Sequence, residues 1–162
     1  MEAALRYLNR SLTNIGEITL EHILDIHKRV LGYVDPLAAG VIRNTQVYVG
    51  GFTPPAPENI PAAMNEFIAW LNDEDTLAID PVELAALAHY RLVFIHPFVD
   101  GNGRTSRLLM NYILMQAGFP PVIIKVSDRL RYYSVLKSAN EVDIHPFIRF
   151  IAEGIDRTLE VN

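Results

Sequence analysis

Between His96 and Arg107 the chain reads HPFVDGNGRTSR, which gathers a histidine, an aspartate, an asparagine, two glycines and two arginines into one short stretch. Asp100-Gly101 and Asn102-Gly103 are turn-forming pairs that permit positive φ. A glycine-rich loop running into a helix N-terminus aims several backbone N–H groups at one point, and the helix dipole adds partial positive charge there. Arg104 and Arg107 are spaced to share one face of that helix and reach the same anion. Two arginines and a cradle call for more than one phosphate group. Asp100 is a hard oxygen donor beside the cradle, and Mg²⁺ is commonly held by one or two carboxylates plus substrate phosphates. His96 stands at the loop entrance, where an imidazole of pKa about 6.5 accepts a hydroxyl proton near neutral pH. Base, metal ligand, cradle and cationic clamps together describe transfer from a nucleotide to a hydroxyl.

Other motifs do not fit. No glycine-Lys-Ser/Thr ending exists for a P-loop. DGNGRT opens like a calcium loop, but Arg104, Thr105 and Asn111 occupy its fifth, sixth and twelfth positions. His22 and His27 are five apart, not the four of a zinc-binding helix. The bland alternatives are a polar turn for the whole loop and a structural carboxylate partner for Arg107.

The elements that position this loop are helical. Leu5, Leu8 and Leu12 suggest a short first helix. Thr19 caps a second, with Leu20, Ile23, Leu24, His27 and Leu31 on one stripe and Gly32 as its stop. Thr45 to Gly51 alternates and reads as a small strand or hairpin arm ending in a glycine pair. A proline-rich loop leads to a helix over about 61–72, followed by an acidic solvated loop, Asn72 to Thr76. Asp80, Pro81 and Glu83 give the strongest helix start in the chain. The run LAALAHYRLVFI is apolar on nearly every face, so that helix is central, and Pro97 ends it. A further helix runs from near Arg104 to Gly118, Ser127 caps another reaching about Asn140, and Asp143 caps the last. The expected class is all-α: about seven helices around a central buried pair, with one small β element. His27 and His89 fall on apolar faces and read as core histidines, and the second HPF, at His145, reads as a helix start.

Composition agrees with one globular domain over residues 1–162. The net charge of −5 argues against nucleic acid as a partner. No cysteine is present, which excludes disulfide and thiolate chemistry. No apolar run is long enough to span a bilayer.

HPFVDGNGRTSR matches the Fic motif, His-Pro-Phe-x-Asp-Gly-Asn-Gly-Arg-x-x-Arg, at every defined position. ALAHYRLVFI, LLMNYILMQAGFPPVII, VDPLAAG, TQVYVG, RYYSVLKSAN and PFIRFIAE extend a likeness to the metazoan endoplasmic-reticulum type of Fic protein over nearly the whole chain. The resemblance implies an all-helical Fic core with a small β-hairpin flap that moves AMP from ATP to a Ser, Thr or Tyr hydroxyl. It implies His96 as base, Asp100 as ligand to Mg²⁺ (Mn²⁺ being an alternative) and Gly101, Asn102 and Gly103 as phosphate cradle. Arg104 and Arg107 would take the β- and γ-phosphates; Val49, Gly50 and Gly51 would form the flap; Tyr132, Tyr133 and Asn140 would contact adenine and ribose. On their own, Tyr132 and Tyr133 read equally as core packing and Asn140 as a helix end. The family likeness also implies the lumenal heat-shock chaperone BiP as target, a tendency to homodimerise and an endoplasmic-reticulum setting.

Relatives of this type carry an upstream inhibitory helix, Ser/Thr-x-x-x-Glu-Gly/Asn, whose glutamate pairs with the arginine matching Arg107. Thr13 and Glu17 have the spacing but are followed by Ile18; Glu153-Gly154 has the ending but Arg149 stands where Ser or Thr belongs. Neither is taken as the inhibitor. The inhibitory helix, the tetratricopeptide repeats and the membrane anchor are missing from these residues, which reads either as a catalytic core alone or as an unusually short relative, and the γ-phosphate site is expected to be open. The rival readings are a non-catalytic nucleotide-binding module and a Fic relative that transfers another phosphate-linked group or removes AMP.

Overall fold

The structure, a computed structural model, describes residues 17–161. The helix read from Leu5, Leu8 and Leu12, and Thr13 with it, lie outside the described residues. Seven helices follow: α1 (Leu20–Leu31), α2 (Ile60–Leu71), α3 (Glu74–Leu77), α4 (Pro81–Ile95), α5 (Asn102–Gln116), α6 (Arg129–Glu141) and α7 (His145–Val161).

α4 and α5 form the centre and pack against each other more extensively than any other pair. α4 buries Leu84, Ala85, Ala86, Ala88, His89, Leu92 and Val93, and α5 is buried from Leu108 through Leu114 without a break. Burial on most sides explains why α4 reads as apolar on nearly every face. α1 packs on α5, α2 on α4, and α7 on α4 and α6. Phe98, Phe147 and Phe150 fill the core at 0–1% exposure; removing one such ring typically costs about 3–5 kcal/mol.

The helix starts follow side-chain chemistry. Thr19 Oγ1 accepts from the His22 N–H at 3.3 Å while His22 Nδ1 accepts from the Thr19 N–H at 2.9 Å, a capping box with histidine in the usual Glu/Gln place. Asp80 accepts from the Val82 and Glu83 N–H groups, and Asp143 Oδ1 accepts from the His145 N–H. Ser127, by contrast, caps nothing: a 3₁₀ turn, Val126–Asp128, leads into α6 without a side-chain cap. Gly32 follows α1 in a right-handed conformation, and the chain is turned by the Val34 and Asp35 N–H groups donating to Leu31 O. The acidic stretch after α2 holds the one-turn helix α3 rather than a loop, with Thr76 buried beneath it.

The expected β-hairpin is also reduced. The described residues contain no sheet, and the flap closes on a single antiparallel bridge, Val49 to Phe52. Gly51, at φ 95°, supplies the positive φ that the third residue of a type II turn requires. Beyond the bridge, Pro54 and Pro55 have no N–H to continue a ladder. Side chains hold that arm instead: Gln46 Nε2 donates to Pro54 O and Arg43 Nη2 to Pro55 O.

Candidate active site

α4 ends in His96, whose backbone is left-handed at φ 52° and ψ 58°; it is the only non-glycine residue with positive φ among those described. That reversal throws the chain into the loop 97–101 and back into α5. Four side chains fix the loop. Asn102 folds back, its Oδ1 accepting from the Phe98 N–H at 2.9 Å and its Nδ2 donating to Phe98 O at 2.8 Å. His27 Nε2–H donates to Asp100 O at 2.8 Å, and its ring stacks on Phe98 at 3.7 Å. Asp100 Oδ1 accepts from the Gly101 N–H at 2.7 Å. Arg43 Nε donates to His96 O at 2.7 Å.

Gly101, the N-cap of α5, sits at φ 80°, and a Cβ there would lie 3.3 Å from both His27 Nε2 and Val30 Cγ1. Unlike α1 and α4, α5 has no side-chain cap. Its first-turn N–H groups open instead into a cavity of about 500 Å³ lined by Gly101, Asn102, Gly103 and Arg104. An uncapped helix N-terminus on a cavity can receive an anion.

The same cavity gathers every site residue read from the sequence. Val49, Gly50 and Gly51 bound one side, His96 and Asp100 lie at the loop, Arg107 stands one turn into α5, and Tyr132, Tyr133 and Asn140 project from α6. Its volume lies within the range of small-molecule sites. Asn102 spends its side chain on Phe98, so what it offers the cavity is main-chain N–H. Tyr132 proves both structural and cavity-lining: it is buried against Phe147 and Phe150, yet its hydroxyl accepts from Arg107 Nη1 at 3.3 Å and donates to His89 Nε2 at 2.7 Å. His89 is fully buried, and burial followed by the Arg107 charge pushes its pKa down to about 3, which keeps it a neutral acceptor.

His96 Nδ1–H donates to Val93 O at 3.2 Å, which leaves Nε2 unprotonated in the neutral ring. Burial first, then the Arg43 charge, lowers its pKa from 6.5, against the Val93 bond and the Asp100 charge. The ring is therefore a neutral base at physiological pH. No carboxylate among the described residues pairs with Arg107. Glu17 is exposed, and Glu153 is committed to Arg131 at 2.6 Å.

Four contributors escape a sequence reading. Lys137 lies one helical turn after Tyr133 and adds a third cation to the cavity, and that i, i+4 spacing was the available signal. Phe52 lies edge-on to Phe94 at 4.4 Å and closes the flap side. Arg43 and His27 brace the loop from behind through backbone carbonyls, which leave no mark in a sequence.

Fold and site together define an all-helical domain whose cavity of about 500 Å³ brings the N-terminus of α5, Arg104, Arg107 and Lys137 beside a neutral histidine. Residues 17–114 match the Fic/DOC family. A protein named protein adenylyltransferase Fic from Drosophila grimshawi is 56% identical over 161 residues, 99% of this chain and 33% of the relative. The solved structure of Fic-1 from C. elegans superposes with a TM-score of 0.90 at 50% identity, over 98% of this chain and 48% of that one. A Fic-domain signalling protein from Bacteroides thetaiotaomicron gives 0.84 at 30% identity, over 98% and 67%. The chain belongs to the Fic/DOC family. It spans about a third of the length of the curated relatives it matches.

Proposed function

We propose that this chain transfers AMP from ATP to a hydroxyl of a protein target, releasing pyrophosphate. The uncapped N-terminus of α5, opening beside His96, carries this reading. The N–H groups of residues 102–104, with Arg104, Arg107 and Lys137, would hold the triphosphate, and the α6 side chains would line the nucleoside end. His96 Nε2 takes the proton of the target hydroxyl. Its oxygen forms a bond to the α-phosphorus, the bond from that phosphorus to the bridging oxygen breaks, and pyrophosphate leaves with the electron pair. The relatives' name, protein adenylyltransferase, supports AMP as the group moved.

Asp100 fits a role as Mg²⁺ ligand. Its Oδ1 accepts from the Gly101 N–H, and the described residues contain no cluster of three acidic or histidine ligands. The remaining ligands would be phosphate oxygens and water, the pattern Mg²⁺ favours; Mn²⁺ would fit the same oxygens. Bound there, the ion neutralises phosphate charge.

Past its single bridge the flap forms no main-chain ladder, which suits an extended target segment adding as a strand. The family resemblance points to BiP as that target. With Glu153 held by Arg131, we expect the 162-residue chain to transfer AMP without prior activation, including onto itself. Intact mass after incubation with ATP and Mg²⁺ tests this. A gain of one adenylyl group supports the reading, and an unchanged mass for both the chain and an added BiP-type target refutes it.

A further inference from the structure

Arg43 is 3% exposed, and no carboxylate among the described residues pairs with it. A buried charge of this kind must be satisfied by hydrogen bonds. Each of its three nitrogens meets a carbonyl: Nε donates to His96 O at 2.7 Å, Nη1 to Thr45 O at 2.8 Å and Nη2 to Pro55 O at 2.7 Å. Its own backbone N–H donates to Pro97 O at 2.9 Å. One residue thus grips the carbonyls of His96 and Pro97 and both arms of the flap. Arg43 does not itself line the cavity.

Two features call for such a grip. His96 holds a left-handed backbone without being glycine, a conformation that persists only where its surroundings over-determine it. The flap has one bridge of its own, so its height above His96 is not set by a sheet. Resting on the AMP-transfer reading, we infer that Arg43 is a positioning residue that sets the spacing between the base His96 and the flap that presents the target hydroxyl. Lysine cannot replace it, because one ammonium on a flexible stem lacks the rigid fork that reaches three carbonyls in three directions. Arg43 and Asp100 are the charged groups acting on the His96 imidazole, with Arg104, Arg107 and Lys137 sharing the cavity.

The test uses the purified 162-residue chain as wild type, Arg43→Lys and Arg43→Gln, with Thr19→Ala as a destabilised control whose cap lies outside the site. The expected result is a loss of about 100-fold in kcat for Arg43→Lys, the scale of a 1 Å misplacement, with ATP affinity within about twofold. Arg43→Gln also removes charge, so the acid limb of its rate profile moves up toward that of free imidazole. Thr19→Ala should lower the melting temperature and keep kcat. A folded Arg43→Lys chain with near-wild-type kcat overturns the inference, as does ATP affinity falling in step with kcat. If the variants do not fold, exchange of the Arg43 Nε–H in the wild-type chain decides: slow exchange supports the grip, and exchange as fast as that of exposed arginines overturns it. If the wild-type chain incorporates no AMP, the transfer reading fails by itself. The Nε–H exchange rate and the imidazole pKa of His96 in Arg43→Gln then decide the role of Arg43.

Discussion

The loop 96–103 and the flap 45–52 face each other across one cavity and are built in opposite ways. In the loop, Phe98 is tied at both its N–H and its C=O by Asn102, Asp100 O is held by His27, and the carbonyls of His96 and Pro97 are held by Arg43. In the flap, one turn bond of 3.4 Å closes Val49 to Phe52, Tyr48 is 83% exposed, and a Cβ on Gly50 would touch nothing within 4 Å. The proposed anion-binding N–H groups are useful only if they cannot rotate away, and the loop's bonds hold them in place. The proposed addition of a target segment as a strand needs main-chain groups free of a ladder, and past its bridge the flap has no ladder. On the proposed reading, the loop serves the chemistry and the flap the recognition.

The comparison can be broken by substitution. The largest effect is expected for His96→Ala: AMP transfer should fall by about 10³-fold or more while ATP binding persists, measured by initial rates and calorimetry. Asn102→Ala leaves the Phe98 N–H and C=O unpaired in the core. It should destabilise the chain by about 2–3 kcal/mol in denaturant titration and weaken ATP binding with it.

Acid separates the regions through the histidines. His27, His89 and His96 all have pKa values lowered, first of all by burial. Below pH 6.5 the unfolded chain therefore binds more protons than the folded one. Their contribution to stability is complete above pH 6.5 and is lost as pH falls, for His89 down to about 3. For His89 each unit in that window costs about 1.4 kcal/mol. With His96 as the proposed base, which must be neutral to take a proton, the acid limb of the transfer rate should also lie below pH 6.5. Thermal melts and rate profiles over the same pH range check both.

The finest contrast is between two glycines. Gly101→Ala forces a left-handed alanine against His27 and Val30, and about 1–2 kcal/mol of stability should be lost. Gly50→Ala meets open space at an ordinary φ and should stay within about 0.5 kcal/mol. Equal losses at both positions would remove the distinction between loop and flap.

Most of the loop was legible in sequence because its chemistry is local. His96, Asp100, the glycines and both arginines lie on one short segment, and the Asp80 cap and the all-apolar α4 announce themselves by spacing. The bracing was not legible. Arg43 and His27 bond to main-chain carbonyls, and every residue has one, so nothing in the residue types marks the acceptors. The flap misled for a different reason: alternation shows a chain fit for a strand, whereas a sheet needs a partner with donors, and Pro54 and Pro55 lack them. α3 is too short to show a helical period, and only burial of Thr76 reveals it. Ser127 had the residue type of a cap, but the 3₁₀ turn carries the chain past it before α6 begins.

The central claim is that the N-terminus of α5 seats a triphosphate so that the α-phosphorus faces His96. Parallel incubations with ATP labelled on the α- or the γ-phosphate, in the presence of Mg²⁺, test it most directly. Label from the α position should appear on protein, none should appear from the γ position, and His96→Ala should abolish the signal. Protein labelled from the γ position, or left unlabelled by both, would contradict it.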